Sequence, residues 1–204
     1  MKKHKIMQQK KYIARSMVKK ELKFTPKKEK DTKIARTRDA ASLVLLKKTR
    51  KEVKVLLGKR SEKTRFMPGA WVFPGGVLDK SDYKIPETTK LNNNIIQKLV
   101  VSNNVQAANA LAIASIRETV EETGLILGKK SKNVSHINDE NINNGITIMS
   151  KKGLVPDLAK LVYLGRAITP TFSPIRFHAR FFMADAKYLL GKIKTTSELV
   201  EIKW

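Results

Sequence analysis

The stretch Arg117-Glu118-Thr119-Val120-Glu121-Glu122-Thr123-Gly124 decides the fold and the chemistry that we expect of this chain. On a helix that turns about 100° per residue, the carboxylates of Glu118, Glu121 and Glu122 fall within one arc of roughly 100°. Arg117 and Glu121 are four residues apart, so their side chains can form an ion pair. The opposite side of the helix is apolar and can pack on a sheet; it consists of Ala112, Ile113, Ile116 and Val120.

The three glutamates place like charges on one helix face, which destabilises the helix. They also lie in its last turn, at the negative end of the helix dipole, where acidic side chains are disfavoured. A divalent cation would remove both costs, and carboxylate oxygens are ligands that Mg²⁺ and Mn²⁺ prefer. The pattern therefore predicts a metal site, with a solvated charged face as the alternative.

Capping residues and hydrophobic periodicity predict the elements around this motif. Asn103 or Asn104 can cap the start of the helix, and Gly124 stands where a left-handed residue ends one. Apolar or alternating runs predict strands at 40–46, 53–58, 161–168, 177–183 and 198–204. The stretches 77–103 and 129–153 are polar and predict an irregular insertion and a polar connection. Strands interleaved with one strong helix indicate a mixed α/β fold.

The motif resembles a known family signature. The run from Arg117 to Leu125 resembles the second half of the Nudix box, which is Gly, five residues, Glu, seven residues, then Arg-Glu-apolar-x-Glu-Glu-x-Gly-apolar. Gly76 corresponds to the opening glycine, but 40 residues separate it from Arg117, where the standard box has 13. Asn109 stands in place of the first box glutamate, and Thr119 replaces the usual large apolar residue.

The split box is similar to the Nudix branch that includes peroxisomal acyl-coenzyme A diphosphatases and bacterial relatives. The likeness covers about residues 38 to 204. It implies a Nudix-type α/β/α sandwich with a mixed sheet, an insertion inside the box and a basic N-terminal tail at 1–37. Relatives of this branch usually continue into another helix, so the domain at 38–204 is expected to be short at its C-terminus.

The resemblance also implies roles for individual residues. Glu118, Glu121 and Glu122 would ligate Mg²⁺ or Mn²⁺, and Glu121 is the candidate for deprotonating the attacking water. Arg117 would position the carboxylates, and Gly75 and Gly76 would let the backbone approach the metal and the phosphates. Further assignments are less direct: Glu198 or Glu201 could add a carboxylate, and Asn109 receives no ligand role because it falls opposite Glu118.

The histidines, four aromatic residues and four arginines give weaker indications of function. His4, His136 and His178 are dispersed, so no zinc site is expected. Four aromatic residues lie in strand-like runs and are predicted to belong to the core instead of a base-stacking platform; they are Trp71, Phe73, Phe181 and Phe182. Four arginines are candidates for phosphate contacts, with ordinary surface positions as the alternative; they are Arg60, Arg65, Arg176 and Arg180.

The net charge of +24 predicts an affinity for polyanions, although the lysine and asparagine bias of an AT-rich genome would explain it equally well. The first 38 residues hold 15 Lys and Arg against three acids. They are expected to form a flexible solubilising tail; a polyanion-binding arm and an organelle-targeting peptide are the alternatives.

Composition excludes some classes of protein. The absence of cysteine excludes disulfides, cysteine–zinc sites and thiol catalysis. Because no apolar run approaches the roughly 20 residues of a membrane-spanning helix, and no secretory signal is found, we expect a cytoplasmic protein, or a mitochondrial or peroxisomal one in a eukaryote.

Two functions remain open at this stage, and a third possibility, to which Asn109 points, is an inactive Nudix fold that serves as an interaction module. The first is metal-dependent hydrolysis of a diphosphate bond in a nucleoside diphosphate linked to another group. A coenzyme A derivative is the first candidate substrate, followed by a dinucleotide or a nucleotide sugar. The alternative is an RNA-associated protein, or an RNA 5′-end pyrophosphohydrolase that uses the basic arm. The oligomeric state is not predicted.

Overall fold

The structure, a computed structural model, describes residues 34–84, 90–99, 104–132 and 144–204. The strands of the described part are β1 (Arg38–Lys48), β2 (Val53–Val55), β3 (Leu57–Arg60), β4 (Trp71–Val72), β5 (Gly75–Val77), β6 (Leu125–Ile126), β7 (Gly128–Lys130), β8 (Leu154–Pro156), β9 (Val162–Ile168), β10 (Phe177–Asp185), β11 (Leu190–Gly191) and β12 (Leu199–Lys203). The α-helices are α1 (Asn93–Lys98), α2 (Val105–Thr123) and α3 (Gly145–Ser150).

A five-stranded mixed sheet forms the centre of the unit that spans Ala35–Trp204. Its order is β2-β1-β10-β9, with β5 also paired to β1. Strands β1 and β10 are parallel, whereas the pairs β1–β2, β1–β5 and β10–β9 are antiparallel. The prediction of a mixed α/β fold is therefore confirmed. The long apolar run in β1 is explained by its central place, because side chains on both of its faces are buried.

Helix α2 has the boundaries that its capping residues predict. The side chain of Asn104 accepts a hydrogen bond from the backbone N–H of Ala107 at 3.0 Å. Gly124 ends the helix with a φ of 72°, in the left-handed region that favours glycine. The predicted apolar face is buried and α2 packs on β1 and β5; its four residues Ala112, Ile113, Ile116 and Val120 are each at most 3% exposed.

The prediction of one strand at 53–58 is wrong, because the chain changes sheets there. Strand β2 pairs with β1, whereas β3 pairs with β12 and β4 in a second sheet. Leu56 lies between them, fully buried, and its N–H donates to the carbonyl of Leu45 at 3.1 Å. An unbroken apolar run does not reveal which sheet each residue joins.

The two polar stretches are also more ordered than their sequences indicate. The described part of 77–103 contains a 3₁₀ turn at Lys80–Lys84 and helix α1, and the described part of 129–153 contains β7 and α3. Both stretches contribute buried apolar side chains to the hydrophobic core that includes the apolar face of α2, among them Leu91, Leu99, Ile146 and Met149. These anchors are too widely spaced to give a periodic pattern, so the prediction of an irregular insertion is wrong for the described part of 77–103.

The predicted tail lies almost wholly outside the described residues, as do His4 and His136. The division into residues 1–37 and 38–204 therefore stays a prediction. Within the described ranges, no helix has the length and apolar character needed to cross a membrane.

Candidate active site

The glycine pair at β5 lies directly against the acidic face of α2. The N–H of Gly75 donates to Oε2 of Glu122 at 2.9 Å. A Cβ atom added to Gly76 would overlap the carboxylate of Glu118, and one added to Gly75 would overlap the carbonyl oxygen of Ala41. Glycine is thus required at Gly75, whereas a side chain at Gly76 would displace the carboxylate of Glu118. The antiparallel pairing of β5 with β1 holds the pair in place.

Arg117 joins the glutamates to the rest of the structure. Its side chain is 7% exposed, and Nε and Nη2 donate to the two carboxylate oxygens of Asp82 at 2.8 and 3.1 Å. Nη2 also donates to the carbonyl of Val77 at 3.0 Å, while Nη1 donates to Glu118 at 2.9 Å and Glu121 at 3.2 Å. Burial alone would lower the pKa of Arg117, but the carboxylates of Asp82, Glu118 and Glu121 outweigh this effect. The pKa of Arg117 therefore lies above its usual value, and the guanidinium stays charged.

Glu121 has hydrogen-bond partners other than the glycine pair. Its Oε1 accepts the N–H of Gly145 at 2.7 Å, and its Oε2 accepts from Arg117. Among the described residues, no group of three or more His, Cys, Asp or Glu side chains is arranged to hold a metal ion. Glu118 and Glu122 share the glycine side, and the assignment of all three glutamates as metal ligands stays a prediction.

Burial raises the pKa values of Glu118 and Glu122, because nearby positive charge and hydrogen bonds do not fully offset the loss of water around their carboxylates. The pKa of Glu118 is raised to about 7, chiefly by burial. The positive charge of Arg117 lowers this pKa, whereas the negative charges of Glu121 and Glu198 raise it. Burial raises the pKa of Glu122 to about 8 despite the N–H of Gly75, and the charges of Glu118 and Glu198 add to the rise. Both acids therefore retain protons near neutral pH. A divalent cation fits this donor set, because it would replace those protons with a charge that carboxylate oxygens bind well.

A cavity of about 760 Å³ opens beside these carboxylates. Gly75, Gly76 and Glu118 lie in its wall, and five aromatic residues line it as well: Phe66, Trp71, Phe73, Phe177 and Phe181. The core prediction is wrong for Trp71, Phe73 and Phe181, which face this cavity, and Trp71 is 41% exposed. It is confirmed for Phe182, which is fully buried because successive side chains on β10 point to opposite faces.

The four candidate arginines have different surroundings. Arg60 lines the cavity and donates from Nη2 to Glu198 at 3.0 Å, while its buried Nε has no hydrogen-bond partner within the described part of the chain. Arg65 is exposed. Arg176 donates to the backbone carbonyls of Thr169 and Ala35, and Arg180 is buried in an ion pair with Asp39. Arg60 is therefore the member of this set that lies beside the carboxylates.

Of the four remaining candidates from the sequence, Glu198 lies at the cavity, and Glu201, Asn109 and His178 do not line it. Glu198 lines the cavity, whereas Glu201 pairs with Lys203 on the next part of β12. Asn109 accepts the N–H of Leu91 at 3.0 Å and so anchors the segment before α1. His178 lies near Asp39 and Arg166, away from the cavity lining, and burial lowers its pKa.

No sequence pattern indicates two of the residues at the site. Asp82 is fully buried against Arg117, and Gly145 contacts Glu121 from α3. A buried arginine in the motif requires an acidic partner, which is a usable signal. The sequence offers many acids, however, and nothing in its spacing singles out Asp82. The polar run around Gly145 gives no signal of contact with the helix.

Known proteins resemble this chain in sequence and in fold. No family model matches the chain. The chain is 29% identical to the Caenorhabditis elegans protein that carries the name nudix hydrolase 7, over 82% of this chain and 50% of that protein. It is 31% identical to acyl-coenzyme A diphosphatase NUDT19 of Xenopus laevis, over 37% of this chain and 26% of that protein.

The chain thus spans about half the length, or less, of these curated relatives. A solved structure agrees with them over most of the fold. The crystal structure of a NUDIX hydrolase from Alicyclobacillus acidocaldarius matches with a TM-score of 0.64 and 26% identity, covering 84% of this chain and 80% of that one. Together with the split motif and its place against the glycine pair, these matches show that the chain is similar to Nudix hydrolases in sequence and in fold.

Proposed function

We propose that this chain is a metal-dependent hydrolase that cleaves the diphosphate bond of a nucleoside diphosphate linked to another group. The observation that carries the proposal is the position of Glu118 and Glu122 against the Gly75–Gly76 backbone, where Gly75, Gly76 and Glu118 line a large cavity. A diphosphate near these glycines would face both backbone and carboxylate groups. The aromatic wall beside them suits the organic part of such a substrate.

The proposed metal ligands are Glu118, Glu121 and Glu122, with Mg²⁺ or Mn²⁺ as the cation. When bound, the cation supplies charge neutralisation at the phosphates and lowers the pKa of bound water. Glu121 is joined to Glu118 through Nη1 of Arg117, which donates to both carboxylates, and each carboxylate oxygen keeps a lone pair besides its hydrogen bond. Arg117 fixes the directions of Glu118 and Glu121, because it donates to both from one nitrogen.

The proposed reaction is a displacement at phosphorus. The oxygen of water forms a bond to one phosphorus, and the bridging bond from that phosphorus to oxygen breaks. The leaving phosphate takes the electron pair, and Glu121 accepts the proton of the attacking water. Two phosphorylated products result.

A coenzyme A derivative is the first substrate that we propose. One curated relative has the name acyl-coenzyme A diphosphatase, which supports this choice. The cavity volume and its apolar lining also suit a substrate with a sizeable organic part. Dinucleotides and nucleotide sugars are the next candidates, since they contain the same diphosphate linkage.

The test incubates the protein with Mg²⁺ or Mn²⁺ and a panel of acyl-coenzyme A, dinucleotide and nucleotide-sugar compounds. A 5′-triphosphorylated RNA oligonucleotide is included to test the RNA alternative. We expect cation-dependent release of two phosphorylated products, and a loss of about 100-fold or more in Glu122→Gln.

Glu201→Gln is the matched control, because Glu201 is a glutamate of β12 that pairs with Lys203 and does not line the cavity. It is expected to keep wild-type turnover. Equal product from Glu122→Gln and the wild type would remove Glu122 from the catalytic site. Cleavage of the RNA alone would replace the proposed substrate class.

A further inference from the structure

The contact between Gly145 and Glu121 joins the acidic end of α2 to a segment 24 residues further along the chain. Gly145 is the first residue of α3, and its N–H donates to Oε1 of Glu121 at 2.7 Å. The cap of α3 leaves this N–H available, because the side chain of Asn144 accepts from Ile146 at 2.8 Å and not from Gly145. The first N–H of α3 is thus satisfied by a side chain of α2.

The contact depends on a close approach that requires glycine. A Cβ atom added to Gly145 would overlap the backbone carbonyl oxygen of Arg117. Gly145 is buried, and Ile146 and Met149 of the same helix are buried in the core. Packing of these side chains therefore presses the start of α3 onto α2 at the level of the motif.

The consequence is that the direction of the Glu121 carboxylate is fixed from two sides. One oxygen accepts from Gly145, and the other accepts from Nη1 of Arg117 at 3.2 Å. Arg117 is in turn held by the buried carboxylate of Asp82. Side chains in such a network keep one orientation, because turning Glu121 away would break a short hydrogen bond to a charged acceptor.

We propose that Gly145 is a positioning residue for hydrolysis: its backbone N–H holds Glu121 in the orientation that the reaction needs. This inference rests on the proposed function, because it assigns Gly145 an effect through Glu121. Gly145 itself does not touch the reacting atoms.

The first test compares Gly145→Ala with the wild type. The added methyl group moves the start of α3 away from Arg117 and removes the hydrogen bond to Glu121. We expect kcat to fall about tenfold or more, the range for a lost hydrogen bond to a charged group, while KM changes by less than about twofold.

Gly153→Ala is the matched control. Gly153 follows α3, has a φ of 68° and has no heavy atom within 4 Å of an added Cβ. Its backbone conformation disfavours alanine, so this variant loses stability without altering the contact with α2. Equal kcat values for Gly145→Ala and Gly153→Ala would overturn the inference.

A double-variant cycle separates positioning from a general loss of structure. If Gly145 acts through Glu121, adding Gly145→Ala to Glu121→Gln changes kcat by less than about twofold, since the charged acceptor is already absent. Fully multiplicative losses would overturn the inference. Absence of cation-dependent cleavage in the wild type would instead contradict the proposed function.

A measurement without turnover covers the case in which Gly145→Ala fails to fold. The ¹H–¹⁵N NMR signal of Gly145 is expected to shift in Glu121→Ala, because its N–H loses a carboxylate acceptor, and to stay in place in Glu201→Ala. An unchanged Gly145 signal in Glu121→Ala would also overturn the inference.

Discussion

Helix α2 and the two polar stretches that hold it, 77–103 and 129–153, differ in how their sequences encode their positions. The helix has a cap at each end and an apolar face, so its bounds and the placing of its acids opposite that apolar face follow from local rules. The polar stretches contribute Asp82 and Gly145, which contact Arg117 and Glu121 across 35 and 24 residues of sequence. The comparison teaches that the motif supplies the charged groups, whereas distant and unpatterned segments fix how those groups point.

The largest effect on stability is expected when the contact between the 77–103 stretch and α2 is removed at Asp82. Replacing Asp82 with Ala leaves the guanidinium of Arg117 buried without its principal partner. Loss of one member of a buried ion pair costs about 3–5 kcal/mol. Urea denaturation should therefore show a correspondingly lower free energy of unfolding for Asp82→Ala.

The control for this prediction is Glu201→Ala, which removes a half-exposed partner of Lys203. Its effect on the free energy of unfolding is expected to be far smaller, because exposed ion pairs contribute little. Equal destabilisation by the two substitutions would show that the 77–103 stretch does not hold the helix.

The sequence predicted the helix and the acidic face well and the site environment only in part. Asn104, Gly124 and the apolar side of α2 lie as expected, because each depends on neighbours within one or two helical turns. Asp82 could not be identified, since choosing among the acids requires the path of the chain between β5 and α1. The cavity position of Phe181 was equally hidden, because alternation on β10 separates it from Phe182 without saying which face is open.

A smaller effect on thermal stability is expected from a change in pH. The raised pKa values of Glu118 and Glu122, about 7 and 8, mean that the folded protein binds more protons than the unfolded chain above pH 4.5. Their protonated forms thus favour the folded state fully below about pH 4.5, and this contribution is lost as the pH rises toward 8. The Tm of the cation-free protein should therefore fall between pH 5 and 8.

The measurement is a series of thermal melts with a chelator present, repeated for Glu122→Gln. That variant should show a weaker fall in Tm across the same pH range, whereas Glu201→Gln should match the wild type. Added Mg²⁺ should reduce the fall in the wild type, because it replaces the protons. A wild-type Tm that rises over this range in the absence of cation would contradict the electrostatics of the site.

The smallest effect, on KM, is expected at the aromatic wall of the cavity, which belongs neither to α2 nor to the two polar stretches. Trp71→Leu removes an exposed ring that lines the cavity, and aromatic contacts contribute about 0.5–1.5 kcal/mol beyond buried area. KM should rise about threefold to tenfold with kcat nearly unchanged. Phe172→Leu is the control, since Phe172 is 62% exposed and does not line the cavity; equal KM values for the two variants would exclude Trp71 from substrate binding.

Direct titration with Mn²⁺, followed by the loss of the free-ion electron paramagnetic resonance signal, tests the central claim that the acidic end of α2 binds a divalent cation beside Gly75 and Gly76. The account predicts saturable binding to the wild type and to Glu201→Gln, and binding weakened by at least about tenfold in Glu118→Gln and in Glu122→Gln. Wild-type affinity in both of these last variants would contradict it.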